Sequence, residues 1–320
     1  MGEFGQCLWG HISQPEKLRA SQRSKEETKM EIAKKVPISV LIPTRNEEAN
    51  IAKCLDSVEW ADEIFVVDSN SEDRTIEISQ RYTENVINFT WNGQYPRKKN
   101  WALDNLPFSH EWVLIVDADE EVTPELEQEI ARIVEGESEY DAYMIRYNYY
   151  FLRKLLKHGD PLWKCVLFKH QHTHFERMNT SDVTGYDVEV HEHPVIHDRL
   201  GYLNGRMIHR DFEDIHHYFD RHNVYSDWEV AIQSYRMIER KNKELKPALV
   251  GSHIQRRRFF KELFFRIPFK PVLFFTYAYF FRLGFLDGKA GFIYNALKTI
   301  YWFEVNVKLY EHKLQQRDTH

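Results

Sequence analysis

Residues 113–122 read VLIVDADEEV, an aliphatic run suited to the inside of a sheet that breaks into carboxylates at positions 117, 119, 120 and 121. Acids crowded together repel one another, so the cluster is unfavourable unless a positive group sits among it. Two readings follow. In one, the acids form a solvated turn ahead of a helix that opens at Thr123-Pro124-Glu125, an N-cap residue followed by proline in the first turn. In the other, a buried strand ends in a binding site.

The sequence upstream separates the two. From Val36, strand-length apolar runs alternate with helix-like stretches: VPISVLIP, NEEANIAKCLDSVEW, EIFVVD, SEDRTIEISQRY, NVINF, YPRKKNWALDNL and EWVLIVD. That alternation is the mark of a doubly wound parallel sheet, which takes its ligand outside the carboxyl ends of the strands. The rule picks out the acidic cluster and two further loops, Pro43-Thr44-Arg45-Asn46-Glu47 and Asp68-Ser69-Asn70-Ser71. Neither a glycine-rich dinucleotide turn nor a phosphate-binding Gly-Lys-Ser/Thr loop occurs at the first of them. Asp117-Ala118-Asp119, on a locally extended backbone, places two carboxylates on one side. Such hard oxygen ligands bind Mg²⁺ or Mn²⁺ while substrate phosphates fill the remaining positions.

Composition bounds the alternatives. At 320 residues and 42% hydrophobic content the chain can bury a full core. A net charge of −6 gives no global field for nucleic acid, and no nucleic-acid partner is expected. Three scattered cysteines, Cys7, Cys54 and Cys165, fit a reducing compartment, and the cytoplasm is expected. The start shows neither a signal peptide nor a myristoylation signal. Residues 1–35 read as a loose polar tail.

Four segments then carry a family resemblance. VPISVLIPTRNEEANIAKCLDSV, ADEIFVVDSNSEDRT, RKKNWALD and WVLIVDADEEVTPEL together resemble the family 2 glycosyltransferases over residues 36–126. VHEH, LNGRMIHRDF and FRLGFLDGKAGFIYNALKTIYWFEVNVKLYE resemble the bacterial branch that includes lipopolysaccharide core β-glucosyltransferases. Two departures stand out: QYPRKKN replaces a glycine-rich stretch, and Asn70 stands where glycine is common.

The resemblance implies a GT-A fold, an α/β architecture with a mostly parallel sheet flanked by helices. It also implies inverting transfer of a sugar from a UDP-sugar, with Mg²⁺ or Mn²⁺, to a saccharide or lipid-linked acceptor. Pro43, Thr44 and Glu47 would line the base pocket, and Asp68 would accept from the base or ribose. Lys99 would neutralise phosphate charge while Asn100 holds its loop, Asp119 would bind the metal with Asp117 in support, and His209 would complete the coordination. Glu192 would be the base that takes the acceptor proton. Plainer readings stand beside three of these: Glu47 as a first-turn acid, Lys99 as a surface lysine, His209 as a hydrogen-bonded packing residue. A nucleotidyltransferase of similar fold and a non-catalytic membrane-bound saccharide or nucleotide binder are the competing functions.

The rest divides into a catalytic domain over 36–215, a helical connection over 216–252 and an amphipathic aromatic and basic region over 253–320. His170, His172 and His174 alternate with strand period and so share a face, although no thiolate joins them to favour zinc. Phe212, Ile215, Tyr218, Phe219, His222 and Tyr225 form a helical stripe expected to pack on the sheet. In the last region Phe and Tyr runs are broken by Arg256, Arg257, Arg258, Lys261, Arg266, Lys270 and Arg282, too charged to cross a membrane yet suited to lie on one. A buried helical subdomain is the alternative there.

Overall fold

In a computed structural model of the chain, the residues described are 35–92, 96–159, 162–175, 194–196, 199–210, 214–239 and 269–318. The first strand, β1 (Val36–Thr44), is buried along almost its whole length, because it runs between two neighbours with both of its faces covered. It pairs in parallel with β2 (Ala61–Asp68), from Ser39 opposite Glu63 to Thr44 opposite Asp68. On its other side it pairs in parallel with β4 (Trp112–Ile115), Leu41 facing Ile115. The short β3 (Val86–Asn88) extends the parallel set beyond β2. Three strands therefore finish at one edge, where Thr44, Asp68 and Asp117 follow the last apolar residues.

Helices α1 (Ile51–Asp56), α2 (Thr75–Ser79) and α3 (Lys98–Asn105) connect these strands. After β5 (Glu120–Val122), α4 (Pro124–Glu135) starts as the sequence indicates: the Thr123 hydroxyl accepts the Leu126 N–H at 3.3 Å and proline occupies the first turn. Beyond β4 the sheet becomes mixed. Its order is β3-β2-β1-β4-β8-β6-β11-β5, with β6 (Ala142–Phe151), β8 (Leu162–Lys169) and β11 (Leu200–His209), and β7 (Lys154–Leu156) added to β6. A separate two-stranded ladder joins β9 (His174–Phe175) to β10 (Pro194–Val195).

The register of β11 decides where the site lies. It runs antiparallel to β5 and parallel to β6, so His209 sits between Glu120 and Tyr149. Gly205 makes this docking possible, since a Cβ there would meet the Cα of Leu126 at 2.5 Å, closer than any side chain tolerates.

The C-terminal part is helical: α5 (Ile215–Glu239), α6 (Lys270–Thr276), a π-type turn at Tyr277–Phe281, a short 3-10 turn at Gly284–Asp287 and the long α7 (Gly288–Asp318). Both α5 and α6 pack against α7. Asp287, 4% exposed, fastens this layer to the turn after β7, accepting the backbone N–H groups of Lys157 and His158 at 3.0 and 2.9 Å. A second small core of Phe151, Leu156, Tyr218, Ala290 and Tyr294 lies under the joint. Residues from Val36 onward therefore make one compact unit that includes these helices.

Two sequence expectations need correction. His170–His172 is a 3-10 turn, so the strand alternation proposed for His170, His172 and His174 does not exist. In the α5 stripe Tyr218 is buried against Phe151, but Ile215 and Phe219 are 37% and 47% exposed, so the stripe turns only partly inward and meets α7 as well as the strands. Phe212 lies outside the described residues, as do residues 1–34 and 256–258. Among the described residues, no helix is long and apolar enough to cross a membrane.

Candidate active site

The acids of 117–121 are not on an extended segment. The Glu120 N–H donates to the Asp117 carbonyl at 2.8 Å, and the Glu120 carboxylate reaches back to accept the Asp117 N–H at 3.1 Å. This tight turn replaces the same-side arrangement expected for Asp117 and Asp119, and it gives the carboxylates different partners. Asp117 is held by Lys164 at 3.0 Å and Lys99 at 3.5 Å. Asp119 faces the Nε2 of His209 at 3.3 Å. Glu120, 1% exposed, accepts from Lys164 at 2.6 Å and from the Tyr147 hydroxyl at 3.3 Å. Glu121 turns to the other side and pairs with Arg210, whose guanidinium lies 4.4 Å from the Tyr150 ring centre.

Lys164 answers the electrostatic question that the sequence raised. It stands on β8, its ammonium 4.8 Å from the Tyr147 ring centre, and two carboxylates close on it. Burial alone would lower its pKa, but Asp117 and Glu120 outweigh that and hold it well above the usual lysine range. Burial likewise works to raise Asp117, and Lys164 with Lys99 overcomes it, holding that carboxyl far below the ordinary range. For Asp119 the burial effect is outweighed by His209, and the pKa is again lowered. Glu120 goes the other way: burial, only partly offset by Lys164, together with the charge of Asp117 lifts it to about 7.

A divalent cation fits this corner. Asp119, Glu120 and His209 each offer one ligand atom, all within 4.8 Å of one another. Two carboxylates and an imidazole are a donor set that suits Mg²⁺ or Mn²⁺. Asp117, which the sequence placed as the supporting ligand, is outside that trio and occupied by its two lysines.

The nucleotide side of the edge is also polar. Thr44 is 2% exposed and Ser69 6%, and their hydroxyl oxygens find no hydrogen-bond partner among the described residues. Buried polar atoms of this kind are ordinarily satisfied, so a pair at the strand ends marks a place for a polar ligand. The Thr44 carbonyl takes a bond from Lys98 at 3.1 Å. Asp68 is buried and accepts the Ser71 N–H at 2.7 Å, which shapes the second loop. Pro43 is half-buried beside Val67, and Glu47 accepts from the Asn50 side chain at 2.9 Å just ahead of α1. Asn70 has φ 55°, so the residue found where glycine is common adopts the left-handed conformation, steadied by a 2.9 Å bond from Asn88. Asn100, in the first turn of α3, bonds both the N–H and the carbonyl of Phe175 on β9 at 2.8 and 3.1 Å.

The structure thus brings Pro43, Thr44, Glu47, Asp68, Lys99, Asp117, Asp119 and His209 to one sheet edge. Glu192 lies outside the described residues. Lys164, Glu120 and Tyr147 were missed by the sequence reading. A lone lysine inside the apolar strand LWKCVLF was the available signal, since an unpaired charge does not survive there.

A profile of glycosyl transferase family 2 matches residues 39–191. An uncharacterised glycosyltransferase of Rickettsia typhi is 30% identical over 294 residues, covering 88% of this chain and 89% of that protein. The chain belongs to glycosyl transferase family 2. It is a glycosyltransferase with the GT-A α/β fold. A shorter match joins this family 2 enzyme to the lipopolysaccharide core biosynthesis glycosyltransferase LpsC of Rhizobium meliloti, 36% identical over 36% of this chain and 46% of that one. Among solved structures, S. aureus TarS 1-349 superposes with a TM-score of 0.37 at 16% identity, covering 82% of this chain and 89% of that chain.

Proposed function

We propose that this glycosyltransferase moves a sugar from a UDP-sugar, with inversion and with Mg²⁺ or Mn²⁺, to a saccharide or lipid-linked acceptor in cell-envelope glycan synthesis. The observation that carries the reading is the trio Asp119, Glu120 and His209 beside the open hydroxyls of Thr44 and Ser69, at the carboxyl edge of the parallel strands. The Rhizobium relative, named for lipopolysaccharide core synthesis, supports the envelope assignment.

Asp119 and His209 would hold the cation with Glu120 as the third ligand, and when bound it supplies Lewis-acid charge to the departing diphosphate. Thr44 and Ser69 donate to the nucleoside, and Asp68 and Glu47 accept from it, with Pro43 against the base. Lys164 keeps Asp117 and Glu120 in place, and Lys99 adds positive charge near the phosphates. Glu192 takes the proton of the acceptor hydroxyl as its oxygen bonds the anomeric carbon, while the bond to the diphosphate oxygen breaks and UDP leaves with its electron pair. Glu192→Gln keeps the shape but cannot take the proton, so turnover should fall by roughly 10²–10⁴ with UDP affinity little changed. A collapse of UDP affinity would instead move Glu192 into the donor pocket.

The C-terminal helices expose Phe269 (70%), Phe281 (75%), Phe303 (62%) and Tyr310 (65%). An apolar surface of this kind calls for a partner, and a peripheral seat on the cytoplasmic face of a membrane would cover it. A panel of UDP-sugars assayed for metal-dependent UDP release tests the activity. Release of pyrophosphate would point to nucleotidyl transfer, and release insensitive to chelator would remove the metal from the scheme.

A further inference from the structure

Between α6 and α7 lies a cavity of about 690 Å³. One wall is Leu273, Phe274, Tyr277 and Phe281, and the other is Tyr301 and Trp302. The volume is within the roughly 300–1,000 Å³ typical of small-molecule sites. Its rim is wet: Leu273, Tyr277 and Phe281 are 47%, 52% and 75% exposed. A cavity that served only as core packing would be closed and small, since interiors are packed to near-crystal density.

Among the described residues that line this apolar space, one is charged, Lys298. Its ammonium lies 5.7 Å from the Tyr294 ring centre and 5.9 Å from that of Tyr149. The Tyr149 ring in turn stands edge-on to His209 at 5.3 Å, and His209 meets Asp119. The cavity therefore opens toward solvent at an aromatic rim and has its cation on the side of the catalytic corner, one tyrosine away from the metal trio. An apolar slot with a cation at the end nearer the reacting groups is complementary to an amphiphile with an anionic head.

We propose that this cavity receives the hydrocarbon chain of the acceptor, an amphiphile whose phosphate pairs with Lys298 so that its sugar reaches the edge formed by Asp119 and His209. The inference rests on the lipid-linked form of the acceptor in the function proposed above, and it assigns a site and a head-group chemistry to it.

The full chain is titrated calorimetrically with dodecyl phosphate, dodecyl maltoside and inorganic phosphate, each alkyl probe below its micelle onset. Wild type should bind dodecyl phosphate saturably at one site, and inorganic phosphate at the same concentration should not compete. Lys298→Gln removes the charge and should weaken dodecyl phosphate by about tenfold while leaving dodecyl maltoside unchanged. Thr276→Trp fills the slot and should abolish binding of both alkyl probes. The Lys298 arm stands whether or not the tryptophan variant folds. No saturable binding by wild type, equal affinity of Lys298→Gln for the phosphate, or equally tight binding of phosphate without the chain would overturn the assignment. So would a wild-type dimer, seen by sedimentation velocity, that Thr276→Trp dissociates, because a second copy would then cover the cavity. UDP with Mn²⁺ is titrated into the same preparations: UDP binding without alkyl phosphate binding sinks the cavity alone, and the converse sinks the donor site alone.

Discussion

At the sheet edge, Glu120 is a carboxylate 1% exposed and Asp119 a carboxylate 14% exposed, while in the C-terminal layer Phe281 and Phe269 are phenyl rings 75% and 70% exposed. Charge is inside where apolar groups belong, and apolar groups are outside where charge belongs. The two inversions are resolved differently. The acids find their counter-charges within the chain, Lys164 from β8 and His209 from β11, each brought from far along the sequence by strand pairing. The phenyl rings find no comparable cover among the described residues. A buried charge is thus a statement about the fold, and an exposed ring is a statement about a partner.

Removing Lys164 strikes the first region hardest. Lys164→Met leaves Glu120 without its cation and Asp117 with Lys99 alone, and stability against urea should fall by about 3 kcal/mol. Adding Glu120→Gln to that variant should recover part of the loss. A Lys164→Met change under about 1 kcal/mol would mean that water already screens the pair and that the edge is less enclosed than described.

The joint between the two regions carries a pH signal. His222 stacks on Tyr218 at 3.8 Å, and its Nδ1 lies 2.8 Å from the Tyr218 carbonyl. Burial first, then the charges of Lys298 and Arg221, push its pKa down to about 4 against the hydrogen bond to Tyr218. The unfolded chain binds the proton near pH 6.5, so the contribution is fully present above that value and is lost as the pH falls toward 4. By pH 5 the loss should be about 2 kcal/mol, read as a fall in the unfolding free energy that His222→Asn flattens. The same slope in wild type and variant would mean that the ring is already open to solvent.

The smallest effect belongs to the second region. Phe280→Ser with Phe281→Ser should change stability by no more than about 0.5 kcal/mol, because these rings bury little against the protein. The same variant should pellet less with vesicles of mixed anionic and neutral lipid. A marked loss of stability would show that the rings pack against protein, and unchanged pelleting would remove the membrane from the proposal.

The parallel half of the fold was legible because VPISVLIP, EIFVVD and VLIV are buried on both faces and read as unbroken apolar runs. The mixed half was not. In β6 the segment AYMIRYNYYF alternates burial only loosely, and in β11 LGYLNGRMIH the inward positions include Gly201 and Gly205 while Leu200 and Tyr202 face solvent, so neither stands out as a strand. For the site, Asp119 and His209 could be picked from the residues that carry the family resemblance. Lys164 was signalled only as a lone lysine in an apolar run, and its partners could not be read, since they depend on the antiparallel pairing of β8 with β4 and β6, which no local pattern encodes. The step 117–119 was read as extended because it follows a buried strand, although aspartate at the first position of 117–120 also suits the turn that forms there.

The central claim is that Asp119 and its neighbours form the metal-dependent seat of the donor. Calorimetry of UDP binding to wild type and Asp119→Asn, each with Mn²⁺ and with excess chelator, tests it directly. Wild type should bind UDP with Mn²⁺ and lose that binding in chelator, and Asp119→Asn should fail to bind in either buffer while keeping its thermal midpoint. Equal UDP affinity in chelator, or in the variant, would contradict it.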